Sequence, residues 1–144
     1  MAVYNKFNQF TKDLIDGKHN FASNTFKVML TNTAPVATNQ IKADITDITA
    51  KNGYTAGGTA TTITESTASG VAKVVGSNVV FTATTATDAT GIGPFQYAVL
   101  YNDTQTSPAK PLISWWDYGS AVTLVSTETL TVAFDATNGI FQIS

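Results

Sequence analysis

The chain has no cysteine, no arginine and a single histidine, His19. Without cysteine there is no disulfide framework and no thiolate chemistry, and the redox compartment stays open. Histidine is the commonest general base, and His19 falls at an expected helix end, where a helix-terminal or solvated imidazole is the ordinary role. No G-x-S-x-G, H-E-x-x-H or cysteine–histidine pairing occurs. A zinc site needs more nitrogen and sulfur ligands than this chain holds. Asp44 and Asp47 lack the third oxygen partner of a calcium loop. No metal and no cofactor is expected.

Charge is scarce too. Charged residues make up 12% of the chain, against about 25% in ordinary domains. All eight cations are lysines and the net charge is −2. A nucleic-acid interface would show a basic stripe and arginine forks; neither is present, so no nucleic-acid partner is expected. No run approaches the ~20 apolar residues of a membrane span, and MAVYNKFNQF has no apolar core of a signal peptide. The expectation is a soluble chain made in the cytoplasm, without a membrane partner.

Threonine, by contrast, occurs 25 times, mostly in runs that suit strands. The 144 residues suit one domain, large enough to bury a core without staples. The chain is organised around Gly93–Tyr118. Two aromatic runs, Phe95–Tyr101 and Leu112–Trp116, flank a polar loop with Pro108 and Pro111, which predicts a long-looped β-hairpin. Simple alternation puts Phe95, Tyr97, Val99 and Tyr101 on one face. It puts Ile113 with Trp115, and Leu112 with Trp116 and Tyr118. Runs apolar on both faces belong in a two-sided core or under a partner.

Residues 3–16 carry an apolar stripe, Val3, Phe7, Phe10 and Leu14, which predicts an amphipathic helix ended by Gly17. It either packs on the sandwich or docks on a neighbouring subunit. Phe26–Thr31 alternates as a half-buried strand, stopped near Pro35. Ile41, Ile45 and Ile48 suit a short helical turn or a core-plugging loop. Residues 51–70 are rich in threonine and glycine; Thr59–Thr64 reads as an exposed strand. That segment is a surface loop, or one ordered only against another protein. Val71–Val75 and Asn78–Ala83 read as a tight hairpin across Gly76-Ser77, and Thr84–Gly93 as a connection. Thr127–Asp135 and Ile140–Ser144 read as strands, with Phe141 and Ile143 facing in. The predicted fold is all-β: a jelly-roll-like β-sandwich over 1–144, with seven or eight strands and one N-terminal helix.

Carboxylate chemistry needs only two acids. Glu65 and Glu128, the only glutamates, lie in polar threonine-rich stretches. Asp117, within W-W-D-Y, is either a strand-end aspartate taking backbone hydrogen bonds or part of a sugar site with Trp115 and Trp116. The phosphate-loop lysine and helix start are missing after Gly57-Gly58 and Gly91-x-Gly93.

MAVYNKFNQF, TFKVMLTNTAP, GPFQYAVLYND and KPLISWWDYGSAVTL together resemble small virion proteins of tailed bacteriophages, most closely the capsid cement or head-decoration type. The resemblance implies a β-sandwich or jelly roll without enzymatic activity. It implies a dimer or trimer on the outer capsid surface, at junctions between major capsid protein subunits. It carries over no residue-level site. A tail-associated receptor- or glycan-binding protein is the alternative. The residues offer Tyr4, Phe7, Tyr54, Thr59, Thr61, Ile63, Trp115 and Trp116 as interface candidates. One tryptophan is expected in the core and the other near a contact. The loop Asp103–Pro111 is expected to be a solvated tip.

Overall fold

A computed structural model describes residues 2–84 and 91–144, so residues 85–90 of the connection expected over Thr84–Gly93 lie outside the described residues. The predicted hairpin is there as β7 (Ile92–Asn102) and β8 (Leu112–Leu124), paired antiparallel. They sit inside a five-stranded sheet with β1 (Tyr4–Lys6), β2 (Phe26–Thr31) and β3 (Thr59–Thr61), in the order β1-β8-β7-β2-β3. β2 occupies the predicted residues, and its alternation holds on one face only. Met29 is fully buried opposite Phe26, Val28 and Leu30, because this sheet is covered on both faces.

Two bulges set which side chains face which way. Tyr101 pairs with Leu112, but Leu100 pairs with Ser114, so Ile113 is an extra residue in β8. An extra residue flips the side-chain parity that follows. Leu112 and Trp115 therefore share one face, and Ile113 and Trp116 the other. This corrects the pairing of Ile113 with Trp115 expected from simple alternation. Further along, Phe95 pairs with Val122 and Tyr97 with Asp117: two steps on β7 answer five on β8. Phe95 thus joins the larger core while Val99 and Tyr101 join the smaller one.

The N-terminal segment also differs from its prediction. Tyr4–Lys6 is a strand on Ser114–Trp116, and the helix α1 is only Asn8–Ile15. The open edge of β8 supplies ladder hydrogen bonds that outweigh helix propensity over three residues. Val3 and Ile15, at the ends of the predicted stripe, are 69% and 80% exposed. Phe7 and Phe10 are buried.

The smaller core is Phe7, Met29, Ile45, Val99, Tyr101 and Leu112, with Trp115 packed against it. Residues 36–47 strap across it, while Ile48 and Tyr54 beyond them pack on the larger core. A short 3-10 turn, Lys42–Asp44, stands where the isoleucine spacing suggested one. The Leu112 N–H donates to Gln40 O (3.0 Å) and Lys42 N–H to Lys110 O (2.9 Å). Asp47 ties the strap down. Its carboxylate accepts from the Tyr54 hydroxyl, from Gly57 N–H (2.6 Å) and from Lys42 Nζ (3.5 Å). The Tyr54 oxygen in turn accepts the Leu30 N–H (3.0 Å), and the Tyr101 hydroxyl donates to Gly57 O (2.8 Å). The loop Asp103–Pro111 is anchored by ion pairs from Asp103 to Lys27 (2.8 Å) and Lys110 (2.7 Å).

The second layer holds the sheet β10-β5-β4 and the pair β6-β9. Its strands are β4 (Ile63–Ala68), β5 (Val71–Gly76), β6 (Val79–Thr82), β9 (Thr129–Val132) and β10 (Phe141–Ile143). β4 and β5 form the hairpin, turning at Ser69-Gly70, both at positive φ (51° and 81°), as a two-residue primed turn requires. The hairpin expected across Gly76-Ser77 does not form; β5 and β6 lie in different sheets. Ser77 is held by the β3–β4 corner instead. Its N–H donates to Thr62 O (2.8 Å), its Oγ accepts Thr62 N–H (2.9 Å), and its carbonyl accepts the Thr61 hydroxyl (2.7 Å). Gly76 is a close-approach glycine: a Cβ there would lie 2.8 Å from the Phe134 ring. The main core lies between the layers, and Ile143, expected to face in, is largely exposed.

Tyr54→Phe removes the hydroxyl that serves both Asp47 and Leu30 and leaves a buried N–H unpaired. The expected cost is about 1–3 kcal/mol, read as a lower chemical-denaturation midpoint with an unchanged slope.

Candidate functional site

The second layer is narrower than the first. Over the β1–β8 end of the main sheet it leaves a cleft of about 740 Å³. Trp116 forms its floor. Its ring meets Tyr4 edge-on at 5.8 Å and Phe134 at 5.4 Å, so an aromatic row crosses from β1 to the second layer. Each ring is placed by a feature already described. The extra residue Ile113 turns Trp116 to this side. The long bulge after Asp117 holds Tyr118 at the rim, with Gly119 at φ +97°. Asp117 Oδ1 fixes that bulge by accepting from Gly119 N–H (2.7 Å) and Gln96 Nε2 (3.0 Å). Bulges commonly re-aim side chains in this way at sites of interaction. Burial pushes the Tyr4 phenol above its ordinary range.

Polar groups around the cleft are few. Among the described residues Asp135 is the single charged side chain lining it. The backbone N–H and side-chain amide of Asn138 and the Thr137 N–H hold its carboxyl below the usual carboxylate range. The opposite wall is Leu130–Asp135, six consecutive residues on and just beyond β9.

Of the residues singled out in the sequence, Tyr4 and Trp116 meet here. Trp115 lies on the opposite face of the sheet, 4.5 Å from Phe7. Asp117 supports the bulge and does not line the cleft. The trio Trp115, Trp116 and Asp117 is therefore not one site. Phe7, Tyr54 and Thr61 are buried within the chain, so these three interface candidates are corrected to core positions. Thr59 is exposed on β3, and Ile63 is half-buried at the start of β4. Tyr97, Tyr118 and Phe134 were missed as site residues. Phe134 read as an inward strand residue, and nothing in the sequence marks the bulge that carries Tyr118.

A second cavity, about 500 Å³, lies where α1 ends against β4, β5 and β10, and includes His19, Phe21 and Phe141. Of the two roles expected for His19, helix-terminal or solvated, the solvated one does not hold: it is 5% exposed. Asn102 Nδ2 lies 3.3 Å from its Nδ1, and its ring sits among Phe10, Phe21 and Phe26. Burial pulls its pKa down to about 4, opposed by the charge of Asp13. Among the described residues no group of three histidine, cysteine or acidic side chains is placed to hold a metal. No helix among them is long and apolar enough to cross a membrane.

Comparison with known protein families, with curated proteins and with solved structures returned no match.

His19 makes stability pH-dependent. Its folded pKa of about 4 lies below the ordinary 6.5, so between those values the unfolded chain binds a proton that the folded chain refuses. Stability is complete above pH 6.5 and falls as the pH drops toward 4. The loss from this group is about 3 kcal/mol at most, at about 1.4 kcal/mol per unit. His19→Gln is expected to flatten that part of a stability–pH curve measured by urea denaturation.

Proposed function

We propose that this chain is a structural virion protein of the capsid cement type, which binds and stabilises an assembled phage capsid at junctions between major capsid protein subunits. Such a protein needs a compact β domain with free strand edges and little charge, and no catalytic centre. The observation that carries the reading is the outer edge of β4. Five of its six residues are exposed, and among the described residues it pairs only with β5. An open edge is a template for another chain's strand. The sequence resemblance supplies the identity of the partner. A protein that binds only the assembled shell stabilises it by linkage.

This moves the contact relative to the sequence expectation. Residues 52–61 are part of the fold, through Tyr54, Gly57 and the β2–β3 ladder, which leaves the β4–β5 hairpin as the projecting part. Tyr4 borders the cleft as a strand residue. Self-association as a dimer or trimer belongs to the same proposal; exposed Val3, Ile15 and Tyr118 are the apolar surface that favours it. The glycan-binding alternative loses its site geometry with the separation of Trp115 and Asp117 from Trp116.

Backbone direction supplies the test. Ile140 N–H donates to Val74 O, so Val74 turns toward β10 and its partner Glu65 turns its own backbone groups outward. Thr67, two residues on, does the same. Glu65→Pro with Thr67→Pro removes two outward donors and spares the β4–β5 ladder. The expected result is a cooperative melt and at least a tenfold loss of affinity for capsids stripped of this protein. Unchanged affinity in a folded variant removes β4 as the contact. No binding of the wild-type chain to any stripped shell removes the reading.

A further inference from the structure

We infer that the aromatic cleft is a strand-acceptor site: it takes an extended, uncharged, apolar segment of another polypeptide, which pairs with β9. This rests on the reading of the chain as a protein-binding structural protein and adds a second contact, of different chemistry from the β4 edge.

Three observations carry it. The first is the wall. Leu130 to Asp135 all border the cleft, although alternate side chains of a strand point to opposite faces. A run that meets one space with both parities meets it with its edge. Among the described residues β9 has one ladder neighbour, β6. Ala83 N–H donates to Glu128 O, so Leu130 and Val132 face β6, and Thr131 and Ala133 turn their N–H and C=O groups toward the cleft. Only a polypeptide backbone matches a row of alternating donors and acceptors.

The second is the floor. Trp116, Tyr97, Ala98 and Leu30 belong to the main sheet, and the larger core stops beneath them. Strands in a sheet lie about 4.8 Å apart, so one added strand beside β9 would roof Trp116 as its neighbours roof Phe95 and Leu100. The third is charge. Asp135 is already satisfied by its own loop, and among the described residues no lysine lines the cleft. A charged occupant would be desolvated with no counter-charge beyond this one carboxylate. Apolar residues at alternate positions fit the floor, and the other side chains of the segment face solvent.

The test uses the purified full-length chain against a yeast-displayed library of random nonapeptides. The expected selection is uncharged sequences with alternating apolar residues. A synthetic copy of the enriched peptide is then titrated against variants. Thr131→Pro removes an outward N–H and leaves the β6 ladder intact; affinity is expected to fall at least tenfold. Thr131→Val keeps the N–H and is expected to bind as the wild type does. Tyr118→Ala, at an exposed rim position, is expected to weaken binding severalfold and reads the cleft even where the proline variant does not fold.

Lack of enrichment, or binding indifferent to both Thr131→Pro and Tyr118→Ala, overturns the inference. So does an oligosaccharide that binds with sensitivity to Tyr118→Ala but not to Thr131→Pro, since that gives the cleft to a sugar. Shell binding without peptide binding overturns the cleft assignment alone. Peptide binding without shell binding supports the cleft and overturns the capsid reading.

Discussion

One inserted residue in β8 governs the rest of this structure. Leu112 pairs with Tyr101 and Ser114 with Leu100, and Ile113 stands between them without a partner position. The insertion sends Leu112 and Trp115 to one side and Ile113 and Trp116 to the other. Without it, Trp115 would change sides and leave the smaller core against Phe7, and Trp116 would leave the floor of the cleft. A hairpin this apolar on both faces is stable only when both are covered. The β-sheet layer covers one, and the strap of residues 36–47 covers the other. Ile45 anchors the strap in the smaller core, and Asp47 ties it to Tyr54 and Gly57. Its hydrogen bonds to Tyr54 and Gly57 are made where burial strengthens them.

What could be read from the sequence follows from this. The all-β class, the β2 residues and the long-looped hairpin were legible because period-2 patterns and turn residues are local signals. The faces of the hairpin were not, since a bulge changes parity without changing composition. Tyr4–Lys6 was read as helix because its neighbours Phe7 and Phe10 carry helical spacing; the edge of β8 that captures it lies over a hundred residues away in sequence. Gly76-Ser77 was read as a turn because glycine before serine ordinarily marks one. In the fold the glycine makes room for Phe134 and the serine caps a corner, and both are tertiary demands. The place of His19 after a helix suggests a helix-terminal or solvated ring, while its burial needs Phe10, Phe21 and Phe26 folded around it and Asn102 brought in from β7. Within the site, Tyr4 and Trp116 were legible as aromatic anchors. Tyr118 and the β9 edge were not, because exposure of an edge depends on which strand fails to arrive.

Two of the strand edges in the second layer, those of β4 and β9, are opposite in character. β4 carries Thr64, Glu65, Ser66 and Thr67 in solvent. Polar and charged edges of this kind resist indiscriminate pairing, so a partner there must offer shape and hydrogen bonding. β9 borders an aromatic floor, and its edge is recessed inside a cleft. Recession is itself a protection: a flat sheet from a second molecule cannot reach it, whereas a single extended strand can. Low overall charge, which weakens long-range steering, places the weight of any association on these short-range features.

The split of the second layer ties these features to one corner. Were β5 to continue into β6 as a hairpin, the layer would be one sheet and would close over Trp116. Ser77 prevents this by bonding to Thr61 and Thr62, which directs the chain from β5 into the separate β6–β9 pair. Phe134 then fills the space above Gly76 and reaches Trp116 from the other side. The packing that completes the core at this corner is therefore the same packing that leaves β9 with β6 as its one ladder neighbour among the described residues. A side chain at residue 76 would push Phe134 outward and spoil core and cleft together, which couples the stability of the domain to the shape of the cleft.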